Sequence, residues 1–262
     1  QRTSWAIECP DYYSTSSFYI HLTAQKFIVK EFFYTSTTGR QIPVILYSPD
    51  PMLIDRAYEE ILKHFQEIEH TFGPYPHASF VAYLSGRLGG MEHAGATITS
   101  IEALGHELFH SWYARGVKPM DGRSGWIDEA AARWRDRGYP RLNKFKQRNK
   151  TNLANFSMFK LATPANSYSD GMELLKDVDF LLKQKGMGLI AVLRDFFNAQ
   201  NLGPVSSQMF QSFLERQSGI SFEELFKRYV FANVPPDEGL TRPPHDCLHP
   251  PALTDTEIAE IR

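Results

Sequence analysis

The sequence feature that most constrains the fold is a change in hydrophobic period near residue 101. Before this point the chain is rich in short β-prone runs, and after it apolar residues recur at every third or fourth position, as in amphipathic helices. One helix-period segment, residues 51–72, interrupts the strand-rich part. A chain patterned in this way predicts an α+β fold, with a mixed sheet lobe followed by a helical lobe.

The same pattern predicts the individual elements and a division of the chain. Strands are predicted at residues 18–22, 27–35, 41–47, 79–84 and 94–100. Helices are predicted at residues 51–72, 101–113, 127–137, 171–185, 189–198, 207–217 and 222–230. We expect residues 1–50 to form a strand-rich N-terminal segment, residues 51–234 the main domain, and residues 235–262 a proline-rich tail.

Composition and charge exclude several classes of protein. The 262 residues are 42% hydrophobic and 22% charged, which is typical of a globular chain and excludes global disorder. The formal net charge of −2 provides no broad positive field, so we expect no nucleic acid among the partners. No apolar run approaches the roughly 18 residues of a membrane span. The chain neither begins with Met nor carries a signal-peptide pattern, so we expect it to be part of a longer protein.

Residues 106–110 read HELFH, which fits the pattern H-E-x-x-H. On a helix His106 and His110 lie one turn apart on the same face, where both imidazoles can reach one metal ion, and Glu107 can reach water at that metal. The alternative is that both histidines belong to the core. The helical wheel disfavours this alternative, because Leu104 and Leu108 form the apolar stripe and the histidines point roughly the opposite way.

An open zinc site of this kind needs a third protein ligand. Glu129 follows His110 after eighteen intervening residues. That distance fits the end of one helix, a turn, and the first turn of a second helix, on which Glu129 points away from the apolar stripe. A solvent-exposed helix glutamate is the ordinary alternative for Glu129, and the two upstream histidines weaken it. The sequence therefore predicts one Zn2+ ion per chain, held by His106, His110 and Glu129.

The H-E-x-x-H motif, the eighteen-residue gap and the following glutamate resemble the aminopeptidase N family of gluzincin metallopeptidases. Three shorter motifs are also similar to motifs of that family: residues 89–93 (GGMEH) to G-x-M-E-N, residues 168–171 (YSDG) to Y-x-K-G, and residues 72–76 (FGPYP) to F-G-x-x-Y-P. The resemblance covers about residues 50–234. Within its motifs the chain departs from the family at five positions: His93, Asp128, Ala130, Ala131 and Asp170.

The resemblance implies a thermolysin-like fold with the zinc site between the two lobes, and it makes residues 51–234 the catalytic domain of a longer parent chain. It also implies zinc-dependent hydrolysis of peptide substrates, with aminopeptidase activity as the leading hypothesis. In such an enzyme Glu107 is the general base, Glu92 holds the free amino group of the substrate, and the Tyr168 hydroxyl stabilises the tetrahedral intermediate. Gly90 lets the backbone approach the ligand closely.

Two further roles are predicted near the metal, and a second metal site elsewhere in the chain is not predicted. Strand 94–100, if it is an edge of the sheet, can pair with the substrate backbone. Asp128 is a candidate to orient a ligand histidine, and an exposed aspartate in the first turn of a helix is the equal alternative. Residues 245–249 (HDCLH) lie in the proline-rich tail and lack a fourth spaced ligand, so they predict no second metal site.

Two alternatives to an aminopeptidase stay open. An endopeptidase of the same fold would not need Glu92 for activity. A metal-free relative that serves as a binding or scaffold domain is favoured by the departures at Asp128 and Ala130. The complete set of three ligand residues together with Glu107 argues against this second alternative, because a decayed site usually lacks one of them.

Overall fold

The computed structural model of the protein describes residues 20, 24, 26–85, 88–145, 148–155, 163–200 and 202–232. Apart from residue 20, the strand predicted at residues 18–22 lies outside the described residues. The proline-rich tail at residues 235–262, with its motif at 245–249, lies outside them as well. The division of the chain at residues 50 and 234 stays a prediction.

The strand-rich part of the chain builds a five-stranded mixed sheet in the order β1-β2-β3-β5-β4. Its strands are β1 Ile28–Thr35, β2 Gln41–Ser48, β3 Phe80–Leu84, β4 Gly90–His93 and β5 Ala96–Thr99. The three central strands run parallel, and the two edge strands are antiparallel to their neighbours. The strands predicted at 27–35, 41–47 and 79–84 are confirmed to within one residue at each end.

Helix α1, Pro51–Phe72, connects β2 to β3 and packs against the first two strands. Asp50 caps it by accepting a hydrogen bond from the Met52 backbone N–H at 2.8 Å, and the proline stands in the first turn, where its missing N–H costs nothing. Its buried apolar side chains recur at helical spacing: Ile54, Ala57, Ile61, Phe65, Ile68 and Phe72. The predicted bounds of this helix are confirmed.

The rest of the described chain is mainly helical. Its helices are α2 Leu104–Phe109, α3 Trp126–Asp136, α4 Met172–Lys183, α5 Leu189–Gln200, α6 Ser207–Ser218 and α7 Glu223–Tyr229. A π-helical turn, Ser167–Gly171, precedes α4, and the short strands β6 Lys118–Pro119 and β7 Pro204–Val205 pair in parallel. One apolar core extends from the sheet through α2 and α3 to α7. Among the described residues, no helix combines the length and the apolar character needed to cross a bilayer.

The chain is therefore a mixed α/β protein with a mixed sheet, and two details of the sequence prediction are wrong. The helix predicted at 101–113 is confined to Leu104–Phe109, because the backbone after it tightens into i→i−3 hydrogen bonds, from Ser111 to Leu108 among others. The strand predicted at 94–100 is not an edge, because β4 pairs with its outer side. The edge beside α2 is β4. The thermolysin-like arrangement of two lobes stays a prediction.

The buried carboxylate of Glu69, on α1, links the end of β1 and the loop after it to the loop that follows α1. Glu69 is 3% exposed. It accepts hydrogen bonds from four donors: Tyr34 Oη, Ser36 Oγ and the backbone N–H groups of Thr37 and Tyr75. These donors belong to β1, to the loop after it and to the loop after α1. Hydrogen bonds to both oxygens offset the cost of removing this charge from water.

Glu69→Gln should lower the free energy of unfolding by about 2–4 kcal/mol, because an amide NH2 replaces one accepting oxygen and leaves buried donors without a partner. Urea denaturation followed by circular dichroism measures this change. Glu59→Gln, at an exposed position of the same helix, should change the stability by less than about 0.5 kcal/mol. Equal stabilities for the two variants would contradict a structural role for Glu69.

Candidate metal centre

Helix α2 carries His106 and Glu107, and His110 follows its last residue, while Leu104 and Leu108 are fully buried in the core. His106 keeps 17% of its side chain exposed, and His110 keeps only 2%. Burial alone would also suit a core histidine, so the hydrogen bonds of the two rings decide what they can do.

Both histidine rings are oriented through Nδ1. His110 Nδ1 donates to the backbone carbonyl of Tyr113 at 2.9 Å, and His106 Nδ1 lies 2.7 Å from Asp136 Oδ2. A carbonyl oxygen only accepts, so Nδ1 of His110 carries the hydrogen, and the carboxylate sets the same tautomer at His106. In the neutral rings both Nε2 lone pairs then point into the same space, with the two Nε2 atoms 3.1 Å apart.

Glu129, in the first turn of α3, completes a group of three candidate ligands with His106 and His110. Its Oε2 lies 3.3 Å from His106 Nε2 and 3.5 Å from His110 Nε2. That oxygen is buried and has no hydrogen-bond partner within the described part of the chain. Three electron-pair donors therefore converge on one point. Such an arrangement is repulsive unless a cation or added protons lie between the donors.

The spacing of these three atoms suits zinc. Ligand atoms at about 2.0–2.1 Å from a tetrahedral ion lie about 3.3–3.4 Å from one another. The observed separations are 3.1, 3.3 and 3.5 Å. Two imidazoles and one carboxylate are also the ligand types of an open zinc site, which keeps one position for water or substrate. The residues present therefore fit the metal that the sequence predicts.

The electrostatics of the group favour positive charge. Burial lowers the pKa of His106, but Asp136 and Glu129 outweigh burial and raise this pKa to about 9. Burial also opposes protonation of His110, whose pKa nevertheless rises well above its usual value beside Glu129 and Glu92. The two histidines hold the pKa of Glu129 well below its usual range, against the effect of burial. A divalent cation bound between these side chains would be stabilised by the same negative charges.

The carboxylate of Glu107 lies beside the group. Its Oε2 is buried with no hydrogen-bond partner among the described residues. Burial, opposed by the two histidines and aided by Glu92 and Glu129, raises the pKa of Glu107 to about 7. A Cβ on Gly90 would lie 2.5 Å from Glu107 Cγ. The close approach expected at Gly90 is therefore first an approach to Glu107, which only a glycine permits.

Tyr168, on the π-helical turn, reaches the group through Glu129. Its hydroxyl donates to Glu129 Oε1 at 2.5 Å, and its ring stacks on His106 with centroids 6.4 Å apart and 17° between the planes. Gly171 holds this turn against α3, since a Cβ there would lie 2.8 Å from the Cβ of Ala130. Tyr168 keeps 38% of its surface exposed, so its ring borders solvent.

Glu92, on the edge strand β4, lies on another side of the group. Glu92, Glu107 and His110 each have a ligand atom within 4.8 Å of those of the other two. The carboxylate oxygen Oε1 of Glu92 accepts a hydrogen bond from Arg115 Nη2 at 3.1 Å. The fold thus brings together the residues that the sequence singled out: Gly90, Glu92, His106, Glu107, His110, Glu129 and Tyr168.

Two residues of this region were not predicted from the sequence. Asp136 lies seven positions after Glu129, which is two helical turns, so the period of α3 could have indicated it as a second residue on the same face. Arg115 had no comparable signal in the sequence, because its place beside Glu92 depends on the turn that follows α2.

The predicted role of Asp128 is wrong. Asp128 accepts a hydrogen bond from the backbone N–H of Glu129 at 2.6 Å and orients neither histidine. Burial and the charge of Glu129 raise the pKa of Asp128 above its usual range. The carboxylate that orients a ligand histidine is that of Asp136.

Comparison with protein-family models and with curated proteins gives no match, whereas solved structures share the fold. Legionella pneumophila aminopeptidase A, solved with aspartic acid, matches with a TM-score of 0.64 and 16% identity, covering 78% of this chain and 28% of its own. An M1 zinc metallopeptidase from Deinococcus radiodurans matches with a TM-score of 0.59 and 17% identity, covering 79% of this chain and 52% of its own. Native yeast LTA4 hydrolase matches with a TM-score of 0.53 and 17% identity, covering 74% of this chain and 38% of its own.

At these identities the likeness shows the fold alone. This chain spans 28%, 52% and 38% of the lengths of the three neighbours. It is therefore a mixed α/β protein that shares the fold of part of the M1 zinc metallopeptidases.

Protein purified without chelators should bind one zinc ion per chain, as measured by elemental analysis after dialysis against micromolar zinc.

Asp136→Ala should weaken zinc binding by about 10–100-fold, because His106 loses the acceptor that holds its tautomer and ring orientation. Competition with a chromogenic chelator measures the affinity.

Asp55→Ala is the matched control, since Asp55 is an exposed α1 carboxylate paired with Lys30. It should keep the zinc affinity of the parent protein. A parent protein that takes up no zinc would contradict the site, and an unchanged affinity in Asp136→Ala would contradict the orienting role.

Proposed function

We propose that this chain hydrolyses peptide bonds as a zinc-dependent peptidase and releases residues from the amino terminus of its substrates. The observation that carries this proposal is the convergence of two imidazole nitrogens and one carboxylate oxygen within 3.5 Å of one another. Beside them lies a carboxylate oxygen of Glu107 that has no partner among the described residues. The fold shared with M1 zinc metallopeptidases supports the same class of reaction.

Zinc held by His106, His110 and Glu129 would supply Lewis-acid activation of water and of the scissile carbonyl. Glu107 accepts a proton from the attacking water and returns it to the amine that leaves when the C–N bond breaks. Its pKa of about 7 suits both steps, because a group that titrates near the working pH can act as base and then as acid.

Tyr168 would stabilise the charge that develops on the substrate carbonyl oxygen. Its hydroxyl donates to Glu129 Oε1 and borders solvent, so a small rotation of an exposed ring can redirect it to a substrate. Burial and the hydrogen bond to Glu129 raise the pKa of Tyr168 well above its usual value, which keeps it a neutral donor. The residue then acts by donating a hydrogen bond and not by giving up its proton.

The edge strand β4 and Glu92 would bind the substrate. As the outermost strand of the sheet, β4 can pair with an extended peptide. One oxygen of Glu92 is bound to Arg115, and the other accepts no hydrogen bond from the described residues. That second oxygen is free to receive an ammonium group, which is the basis for proposing an aminopeptidase over an endopeptidase.

Glu107→Gln should retain one zinc per chain and lose peptide hydrolysis by about 10²-fold or more, because the amide cannot accept the proton from water. Elemental analysis and release of new amines from a peptide measure the two effects. Glu102→Gln, at an exposed position just before α2, is the control and should keep the parent activity. Parent-level hydrolysis by Glu107→Gln would contradict the mechanism.

Glu92→Gln should slow cleavage of a peptide with a free amino terminus by about tenfold or more, and should slow the N-acetylated peptide much less, because only the free peptide presents a charge to Glu92. Values of kcat/KM for the matched peptides measure this selectivity. Glu31→Gln, on the exposed face of β1, should leave both values unchanged. Equal cleavage of both peptides by the parent would favour the endopeptidase alternative.

A further inference from the structure

The loop after His110 directs the positively charged side chain of Arg115 toward the site. The backbone N–H of Arg115 donates to the carbonyl of His110 at 2.9 Å. Ala114 has a φ of 130°, a conformation that residues with a Cβ rarely adopt. A Cβ on Gly116 would lie 2.5 Å from the carbonyl oxygen of Trp112. The loop is therefore held in one strained shape, and strain of this kind is typical of positions that aim a side chain for a purpose.

The side chain that this loop presents is paired with Glu92. Arg115 Nη2 donates to Glu92 Oε1 at 3.1 Å and to the Glu92 backbone carbonyl at 3.3 Å. The two side chains are 19% and 21% exposed, so solvent screens the pair only in part. Arg115 Nε is buried with no hydrogen-bond partner among the described residues. The guanidinium therefore lies close to the candidate zinc ligands, and one of its buried N–H groups makes no hydrogen bond with the described residues.

We propose that Arg115 determines how strongly the site prefers a free amino terminus, by competing with the substrate ammonium for Glu92. This inference rests on the proposed function and adds a residue that sets its specificity. Arg115 touches neither the converging ligand atoms nor Glu107 through any hydrogen bond of the described residues. Its effect is therefore on selectivity and not on the bond-breaking step.

The physical reason is repulsion between two cations that share one carboxylate. An ammonium group bound to the second oxygen of Glu92 would lie within a few ångströms of the Arg115 guanidinium, in a site that is only partly exposed. The resident cation cancels part of the attraction that a lone carboxylate would exert on an amino terminus. An N-acetylated peptide has no such charge and feels no such loss. The parent enzyme should therefore discriminate between the two less than its carboxylate alone would allow.

The test uses zinc-loaded protein and an alanine tetrapeptide amide with either a free or an acetylated amino terminus. The measured quantity is the ratio of kcat/KM for the free peptide to that for the acetylated peptide, with mass spectrometry reporting which bond is cleaved. Arg115→Gln should raise this ratio by at least about tenfold through a lower KM for the free peptide. Arg115→Lys keeps the charge and should stay within about threefold of the parent.

Three further measurements make the result specific. Arg194→Gln removes an exposed arginine on α5 and should leave the ratio unchanged. Arg115→Met tests the loss of charge in a variant that keeps an apolar stem. Calorimetric titration of both peptides into zinc-loaded Glu107→Gln, with and without Arg115→Gln, should show tighter binding of the free peptide alone in the double variant. All variants must bind one zinc per chain.

A ratio that stays the same or falls in both Arg115→Gln and Arg115→Met would overturn the inference, and a fall would mean that Arg115 positions Glu92 for the ammonium. Failure of the proposed function has a different signature. In that case the zinc-loaded parent cleaves neither peptide, and the calorimetric comparison alone decides whether Arg115 weakens binding of a free amino terminus.

Discussion

Three electron-pair donors held within 3.5 Å of one another are the constraint on which the rest of this structure depends. Neutral imidazole nitrogens and a carboxylate oxygen repel one another in a buried setting, so the surrounding chain has to hold them in place. The Tyr113 carbonyl and Asp136 fix the two rings, and Tyr168 binds the outer oxygen of Glu129. Each support comes from outside α2, so the site exists only when α2, α3 and the π-helical turn are packed together.

The helices that carry these groups are joined by a second polar contact. Arg135, on α3, donates to Glu67 on α1 and to the carbonyl of Gly105 on α2. A Cβ at Gly105 would lie 2.5 Å from the ring of His64, so α1 and α2 approach each other more closely than any side chain would permit. Arg135 therefore ties all three helices at the end of the site that carries Asp136. The position of the ligands is thus set by the sheet-packed helix α1 as much as by the ligand helices themselves.

Much of the fold and of the site could be predicted because the signals are local. Pro51, the Asp50 cap and the apolar spacing define α1 within a single stretch of chain. The spacing of His106 and His110 likewise needs only one helical turn to put both rings on one face. The prediction failed where a contact between segments decides. The edge of the sheet, for example, is set by the pairing of β4 with β5.

The sequence by itself determined the kinds of group available and their local spacing: two imidazoles one turn apart, a carboxylate beside them, and another in the next helix. Only the tertiary structure decided that Asp136 and not Asp128 orients a histidine, and that Arg115 meets Glu92. The physical reason is that propensity and periodicity act over a few neighbouring residues, whereas the direction of a hydrogen bond or an ion pair depends on how distant segments pack. A periodic pattern places a side chain on a face, and only packing chooses its partner.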